Sequence, residues 1–410
     1  MTTSRIFLAG LIAVSTVATG CDSTSSQAAA STPPPTPAAA TSAAATPTSE
    51  TAAPTPTASC ATTVFDRMTE AERVGQLFLV GIPVDGGPGS EATRAIRDHH
   101  FGSVLFSGNS TAGVKAIKAM ASQVQDLTGA TAGVKFFVAA NQEGGEIQEL
   151  KGPGFAAMPT ALSQGSLSPQ ALRSDAEKWG RELKEAGVNL NLAPVMDVVP
   201  PGTAAENAPV GALDREFGDN PATNGVHGAA FIKGMREAGV VTTAKHFPGL
   251  GRVRGNTDFT ANVVDDQTTA DDPYLKSFQD AIGAGVPFVM VALATYTRID
   301  PGHLAVFSSR IIQGILRGHL HFTGVIMSDD LGEAAAVAKL APGTRAIDFL
   351  QAGGDMITSQ TVPSADTMAE AVLARAKTDA AFRKLVSTAV MRILGAKESA
   401  GLLPCLPGVQ

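Results

Sequence analysis

Asp329 stands in the string Ser328-Asp329-Asp330-Leu331, directly after a short apolar run. Three other polar strings follow apolar runs in the same way: Asn141-Gln142-Glu143-Gly144-Gly145, Ala193-Pro194-Val195-Met196-Asp197, and Lys245-His246-Phe247-Pro248-Gly249-Leu250-Gly251. Arg215 adds a cation in Asp214-Arg215-Glu216-Phe217-Gly218. A lone Asp after a strand usually caps the next helix, and Asp329 could cap one starting near Asp330. Several charged and amide groups recurring at one kind of position point instead to a shared rim. Such a set suits a polar ligand such as a sugar, with carboxylates available to cleave a glycosidic bond.

Eight buried-strand candidates supply that rim: Gly75–Gly81, Ser103–Phe106, Lys135–Ala140, Val188–Val195, Val240–Ala244, Pro287–Ala292, Gly324–Met327 and Asp355–Thr358. Helical stretches separate most of them. Thr69 and Glu72 form a capping-box pattern that opens the first helix. Ser168-Pro169 opens another, with a capping Ser and Pro at the first helical position. Glu185-Ala186-Gly187, Glu237-Ala238-Gly239, Gly283-Ala284-Gly285 and Gln351-Ala352-Gly353 end helices with a residue suited to the left-handed conformation. Continuous apolar strands alternating with helices imply a parallel sheet covered on its outer face. Eight such units favour an α/β fold of the closed (βα)8, TIM-type barrel kind, whose chemistry sits at the strand C-termini. An open doubly wound sheet is disfavoured, because no Gly-x-Gly-x-x-Gly follows the first strand and no phosphate-loop pattern occurs.

The capped opening into Gly75-Gln76-Leu77-Phe78, the Gln142-Glu143-Gly144-Gly145 turn, Lys245-His246-Phe247-Pro248-Gly249 and Ser328-Asp329-Asp330-Leu331 resemble glycoside hydrolase family 3. They most resemble its single-domain bacterial β-N-acetylglucosaminidases, over roughly Met68 to Ala396. The resemblance implies a retaining exo-β-N-acetylglucosaminidase acting on cell-wall or peptidoglycan-derived glycans. It makes Asp329 the nucleophile and places Asn141, Arg215, Lys245 and His246 against the terminal sugar. Asp197 matches a strand-end residue whose supporting role is as plausible as direct contact.

Departures from the family pattern concern proton transfer. Where the family's N-acetylglucosaminidases carry an Asp and a His two residues apart, this chain reads Gly255-Asn256-Thr257-Asp258-Phe259. Asn256 cannot transfer a proton at neutral pH. Asp258 becomes the candidate acid, provided that burial raises its pKa. Asn141 replaces a sugar-gripping Asp, and Glu146 and Glu149 stand where arginines usually follow the turn. Leu250 and Leu293 replace common histidines. These changes open a second reading: a glycan-binding surface lipoprotein with the same barrel and attenuated turnover. Transfer of the glycosyl unit to an acceptor other than water uses the same nucleophile.

The chain has 410 residues and opens with Arg5 and an apolar run from Ile6 to Ala18, too short to span a membrane comfortably. Residues 1–20 read as a lipoprotein signal peptide ending at Cys21, the expected lipidation site. Residues 21–59, nearly all Ala, Ser, Thr and Pro, read as a disordered tether. Residues 60–410 form the barrel domain. This arrangement implies an extracytoplasmic protein anchored to the cell membrane by lipid. Cys60 and Cys405, at the two ends of the folded block, are a plausible disulfide in an oxidising compartment, the alternative being two free thiols. A net charge of −7 argues against nucleic acid as a partner. The seven histidines are scattered, with no metal-ligand spacing, so no cofactor or metal is expected. The remaining expectations are a carbohydrate substrate and a monomer.

Overall fold

The computed structural model describes residues 59–405; the expected signal peptide, Cys21 and nearly all of the expected tether lie outside the described residues. Eight parallel strands close into a barrel in chain order: β1 (Phe78–Pro83), β2 (Ser103–Ser107), β3 (Phe137–Ala140), β4 (Leu190–Asn191), β5 (Val241–Phe247), β6 (Phe288–Val291), β7 (Val325–Asp330) and β8 (Met356–Ser359). Closure is made where Phe78 meets Ile357 and Leu79 meets Thr358. Nearly every strand residue is buried, as expected when side chains fill the barrel on one face and meet helices on the other. No described helix is long and apolar enough to cross a membrane.

The local signals work as their chemistry requires. Thr69 Oγ1 accepts from the Glu72 N–H at 3.2 Å, and Glu72 accepts from the Thr69 N–H at 2.8 Å. Ser168 caps the helix Pro169–Glu185. Gly187, Gly239, Gly285 and Gly353 all have positive φ and end their helices before the next strand.

Strand limits differ from the sequence reading for identifiable reasons. Gly75 and Gln76 belong to the helix Glu70–Gln76, not to β1. A Cβ on Gly75 would stand 2.2 Å from the His100 carbonyl oxygen, so that helix end is pressed against the loop entering β2. Instead of eight residues, β4 keeps two. Its amide side chains take over pairing: Asn189 Oδ1 accepts from the Val138 N–H at 2.8 Å, and Asn191 Oδ1 accepts from the Gln142 N–H at 3.1 Å. Pro194 has no N–H to offer. Conversely, β7 runs on through Ser328, Asp329 and Asp330, so these acids lie inside the strand end.

At the barrel floor, the helix Cys60–Arg67 rests on the last helix, Ala380–Ser399, with Glu398 accepting from the Cys60 N–H at 3.0 Å. Cys60 and Cys405 are joined by a disulfide, with 6.1 Å between their Cα atoms. Lys397 is fully buried there and donates to Gln76 Oε1 at 2.8 Å and to the Gly102 carbonyl at 2.7 Å. Burial pulls its ammonium down to about 7.

Candidate active site

A cavity of about 530 Å³ opens where the strands end, lined among others by Asn141, Glu143, Glu149, Arg215, Lys245, His246, Asp258 and Asp329. Its size suits a sugar with part of its aglycone. Of the residues given a catalytic or sugar-binding role in sequence, all but Asp197 reach this cavity.

Asp329 and Asp330 are neighbours with opposite duties. Asp330 is buried and stitches the backbone: its carboxylate accepts from the N–H groups of Gly332 at 2.9 Å, Glu333 at 3.0 Å and Gln360 at 2.9 Å. Asp329 takes only the Asp330 N–H, at 2.8 Å, among the described residues. No helix begins there, since the chain goes through a short turn at Ala335–Val337 before the helix Pro342–Ala352. The capping alternative for Asp329 therefore fails. Burial raises its carboxyl to about 6; the nearby His246 opposes that rise and Asp258 adds to it.

Arg215 and Lys245 do not stand free. Both are tied to Glu143, a residue the sequence reading quoted in its motif without giving it a role. Arg215 makes a two-pronged pair with it at 2.8 Å for each contact. Lys245 Nζ lies 2.6 Å from Glu143 Oε1 and donates to Asn141 Oδ1 at 2.9 Å. Burial alone would raise the Glu143 carboxyl, but Arg215 and Lys245 hold it down to about 2. A usable signal was the charge count. Two cations at one rim need a carboxylate partner once desolvated, and Glu143 was the acid nearest in the motif.

Glycine makes this cluster possible. After β3 the chain turns back in a two-stranded hairpin, Gln142–Gly144 against Ile147–Gln148. Gly144 sits at φ +116°, and a Cβ there would lie 2.1 Å from the Pro159 carbonyl oxygen. The turn returns Glu149 to Asn141, whose backbone N–H and Nδ2 donate to the two Glu149 oxygens at 3.0 and 3.1 Å. Burial pushes the Glu149 carboxyl up to about 7 against those bonds and against Lys245.

His246 is aimed by Asp197. The Asp197 carboxylate is fully buried, accepts from His246 Nδ1 at 2.7 Å, and also takes the His246 and Leu250 N–H groups at 3.0 and 2.9 Å. Asp197 therefore lies behind His246 and outside the cavity lining, which favours the supporting role and corrects the alternative of direct contact with the sugar. With Nδ1 occupied, His246 has no protein partner on Nε2 among the described residues and itself lines the cavity.

Asp258 does reach the cavity, but it is exposed, so the burial required of a candidate acid is not met in this form. Asn256 does not orient a base. Its side-chain oxygen accepts from the Asp258 N–H at 2.9 Å, closing a turn that carries Asp258. The same segment is pinned to the loop after β7, with Ala336 and Ala335 donating to the Thr257 and Asp258 carbonyls at 3.1 Å each. Leu250 lines the cavity, while Leu293 is buried outside it. His99, His100, His319 and His321 lie at or beside helix ends. Among the described residues no His, Cys, Asp and Glu cluster has the arrangement of a metal site.

Known proteins resemble this chain in sequence and fold. A β-hexosaminidase of Stenotrophomonas maltophilia is 31% identical over 326 residues, spanning 76% of this chain and 91% of that protein. One of Xanthomonas campestris is 32% identical over 291 residues, 68% of this chain and 83% of its own length. The crystal structure of a β-N-acetylhexosaminidase from Beutenbergia cavernae superposes with a TM-score of 0.79 at 46% identity, covering 81% of this chain and 99% of that one. The model of the glycosyl hydrolase family 3 N terminal domain matches residues 69–396. With its closed barrel and strand-end carboxylate, the chain belongs to glycosyl hydrolase family 3.

Proposed function

We propose that this protein is a retaining exo-β-N-acetylhexosaminidase acting on N-acetylglucosamine-containing glycans, with Asp329 as nucleophile. One observation carries the reading: the Asp329 carboxylate faces the cavity with a single backbone hydrogen bond, while its neighbour Asp330 takes all the structural work. An Asp329 oxygen attacks the anomeric carbon and the bond to the aglycone oxygen breaks, leaving a glycosyl ester. Water then cleaves that ester, and two inversions give net retention. Arg215, Lys245, Asn141 and the free edge of His246 hold the sugar's hydroxyls and acyl group.

The departing oxygen needs a proton. Asp258 is the proposed donor, carried on a turn at the cavity edge, and it works only once a bound glycan covers it from water. Its exposure in the free protein supports a second reading in which glycans bind but turn over slowly. Activated aryl glycosides separate the two, because their leaving groups need little acid assistance. A hydrolase gives Asp329-dependent release from aryl β-N-acetylglucosaminide. Binding without any release supports the lectin-like alternative.

The lipoprotein signal, lipidation at Cys21 and the tether are part of the proposal. Together with the disulfide they fit an extracytoplasmic site beside the cell wall, where peptidoglycan fragments supply the sugar.

A further inference from the structure

Glu149 lines the same cavity, yet the reaction above gives it no task. In the order of strands around the barrel, β3 and β7 are diametrically opposed. Asp329 sits in the end of β7, and Glu149 closes the hairpin over the end of β3. A pyranose ring presenting its anomeric carbon to Asp329 turns its C4 side to the opposite wall. The two Glu149 oxygens each accept one hydrogen bond from Asn141, at 3.0 and 3.1 Å. A carboxylate offers about four lone-pair positions, so acceptor capacity remains for a ligand. Lys245, the nearest cation, is already tied to Glu143 and Asn141 and does not neutralise Glu149 by a direct pair.

We propose that Glu149 is a specificity-determining residue that accepts the hydrogen of the terminal sugar's C4 hydroxyl from the β3 side of the cavity. This rests on the hydrolase reading, which places the anomeric carbon at Asp329. An arginine at this position would only donate; a carboxylate requires the ligand to bring a donor hydrogen. While Glu149 is ionised, the site therefore disfavours a sugar whose C4 substituent lacks one, and it discriminates against the C4 epimer, whose hydroxyl points to the other ring face. The Glu149 carboxyl, lifted by burial to about 7, gains from a ligand donor that stabilises its charge.

The test is a calorimetric titration of the full chain with free sugars, which are not hydrolysed, at about pH 8, above the Glu149 value of about 7, so that the carboxylate is ionised. The probes are N-acetylglucosamine, N-acetylgalactosamine and 4-deoxy-4-fluoro-N-acetylglucosamine, against wild type, Glu149→Ala and Glu149→Gln. Wild type is expected to prefer N-acetylglucosamine over both analogues by about tenfold or more, since each analogue forfeits a hydrogen bond to a charged acceptor. In Glu149→Ala the preference falls to roughly twofold or less, and Glu149→Gln lies between. Equal wild-type affinity for the three sugars overturns the inference, with no need for either variant to fold. So does a preference that survives unchanged in both variants. Should Asp329-dependent hydrolysis persist alongside that result, only the role of Glu149 is lost. Failure of all three sugars to bind wild type, without any Asp329-dependent turnover, removes the hydrolase reading and this inference with it.

Discussion

Asp197 grips His246 twice, accepting the ring Nδ1–H on one carboxylate oxygen at 2.7 Å and the backbone N–H on the other at 3.0 Å. This double grip fixes the imidazole's tautomer and points Nε2 into the cavity. Asp197→Ala strands three buried donors, those of His246 and Leu250. It is expected to lower stability by about 1–3 kcal/mol and kcat/KM by about tenfold to a hundredfold through misplacement of the ring. Urea denaturation and aryl glycoside kinetics measure the two effects. Asp197→Asn keeps an acceptor and loses less of both.

The pH profile follows from Asp329. Its folded carboxyl is raised to about 6, so protonation removes the proposed nucleophile below that pH. The kcat/KM for an aryl β-N-acetylglucosaminide is expected to fall about tenfold per pH unit once below about 6. A raised carboxyl pKa also means that the folded state binds more protons than the unfolded chain between the ordinary Asp range and 6. Stability from this group is lost as pH rises through that window. Asp329→Asn removes the cost and raises stability by about 1–2 kcal/mol at pH 7, with little gain at pH 4. Thermal denaturation at both pH values checks the sign.

Glu143 behaves in the opposite sense. Its folded carboxyl is held down to about 2, so its contribution is present above the ordinary Glu range and is lost as pH falls from there toward 2. Glu143→Gln leaves Arg215 and Lys245 desolvated without their countercharge, an expected loss of about 3–5 kcal/mol. The acid limb of the stability curve, between about pH 4.5 and 2, becomes flatter in the variant than in wild type.

Lys397 supplies a test far from the cavity. Its folded pKa is lowered to about 7, whereas an unfolded lysine titrates near 10.4. Between those values the unfolded chain binds more protons, so stability from this group rises with pH. Lys397→Met removes that rise. The difference between wild type and variant, followed by denaturation from pH 7 to 10, isolates it from other lysines.

The barrel was legible because its strands are continuous apolar runs and its helices carry explicit caps; the capping box at Thr69 and the glycines at 187, 239, 285 and 353 did what their types require. Strand ends were less legible. At β4, Asn189 and Asn191 replace ladder bonds with side-chain bonds, which no periodicity reveals. Asp329 was legible from its place after an apolar run and from the family strings. Glu143 and the true position of Asp197 were not, because each depends on which partner lies across the barrel mouth, and Glu149 was not, because its place depends on the hairpin that returns it to Asn141. Glu143 meets Arg215 across 72 positions of sequence, and Asp197 meets His246 across 49.

A covalent glycosyl–Asp329 ester is the species on which everything said of the site converges. Quenching the protein with an activated aryl β-N-acetylglucosaminide and mapping its peptides by mass spectrometry looks for that ester directly. The expected result is one N-acetylhexosaminyl group on the peptide carrying Asp329, absent from Asp329→Ala, which also fails to release the aryl group. Undiminished release by Asp329→Ala, or an adduct on a different carboxylate, contradicts the assignment.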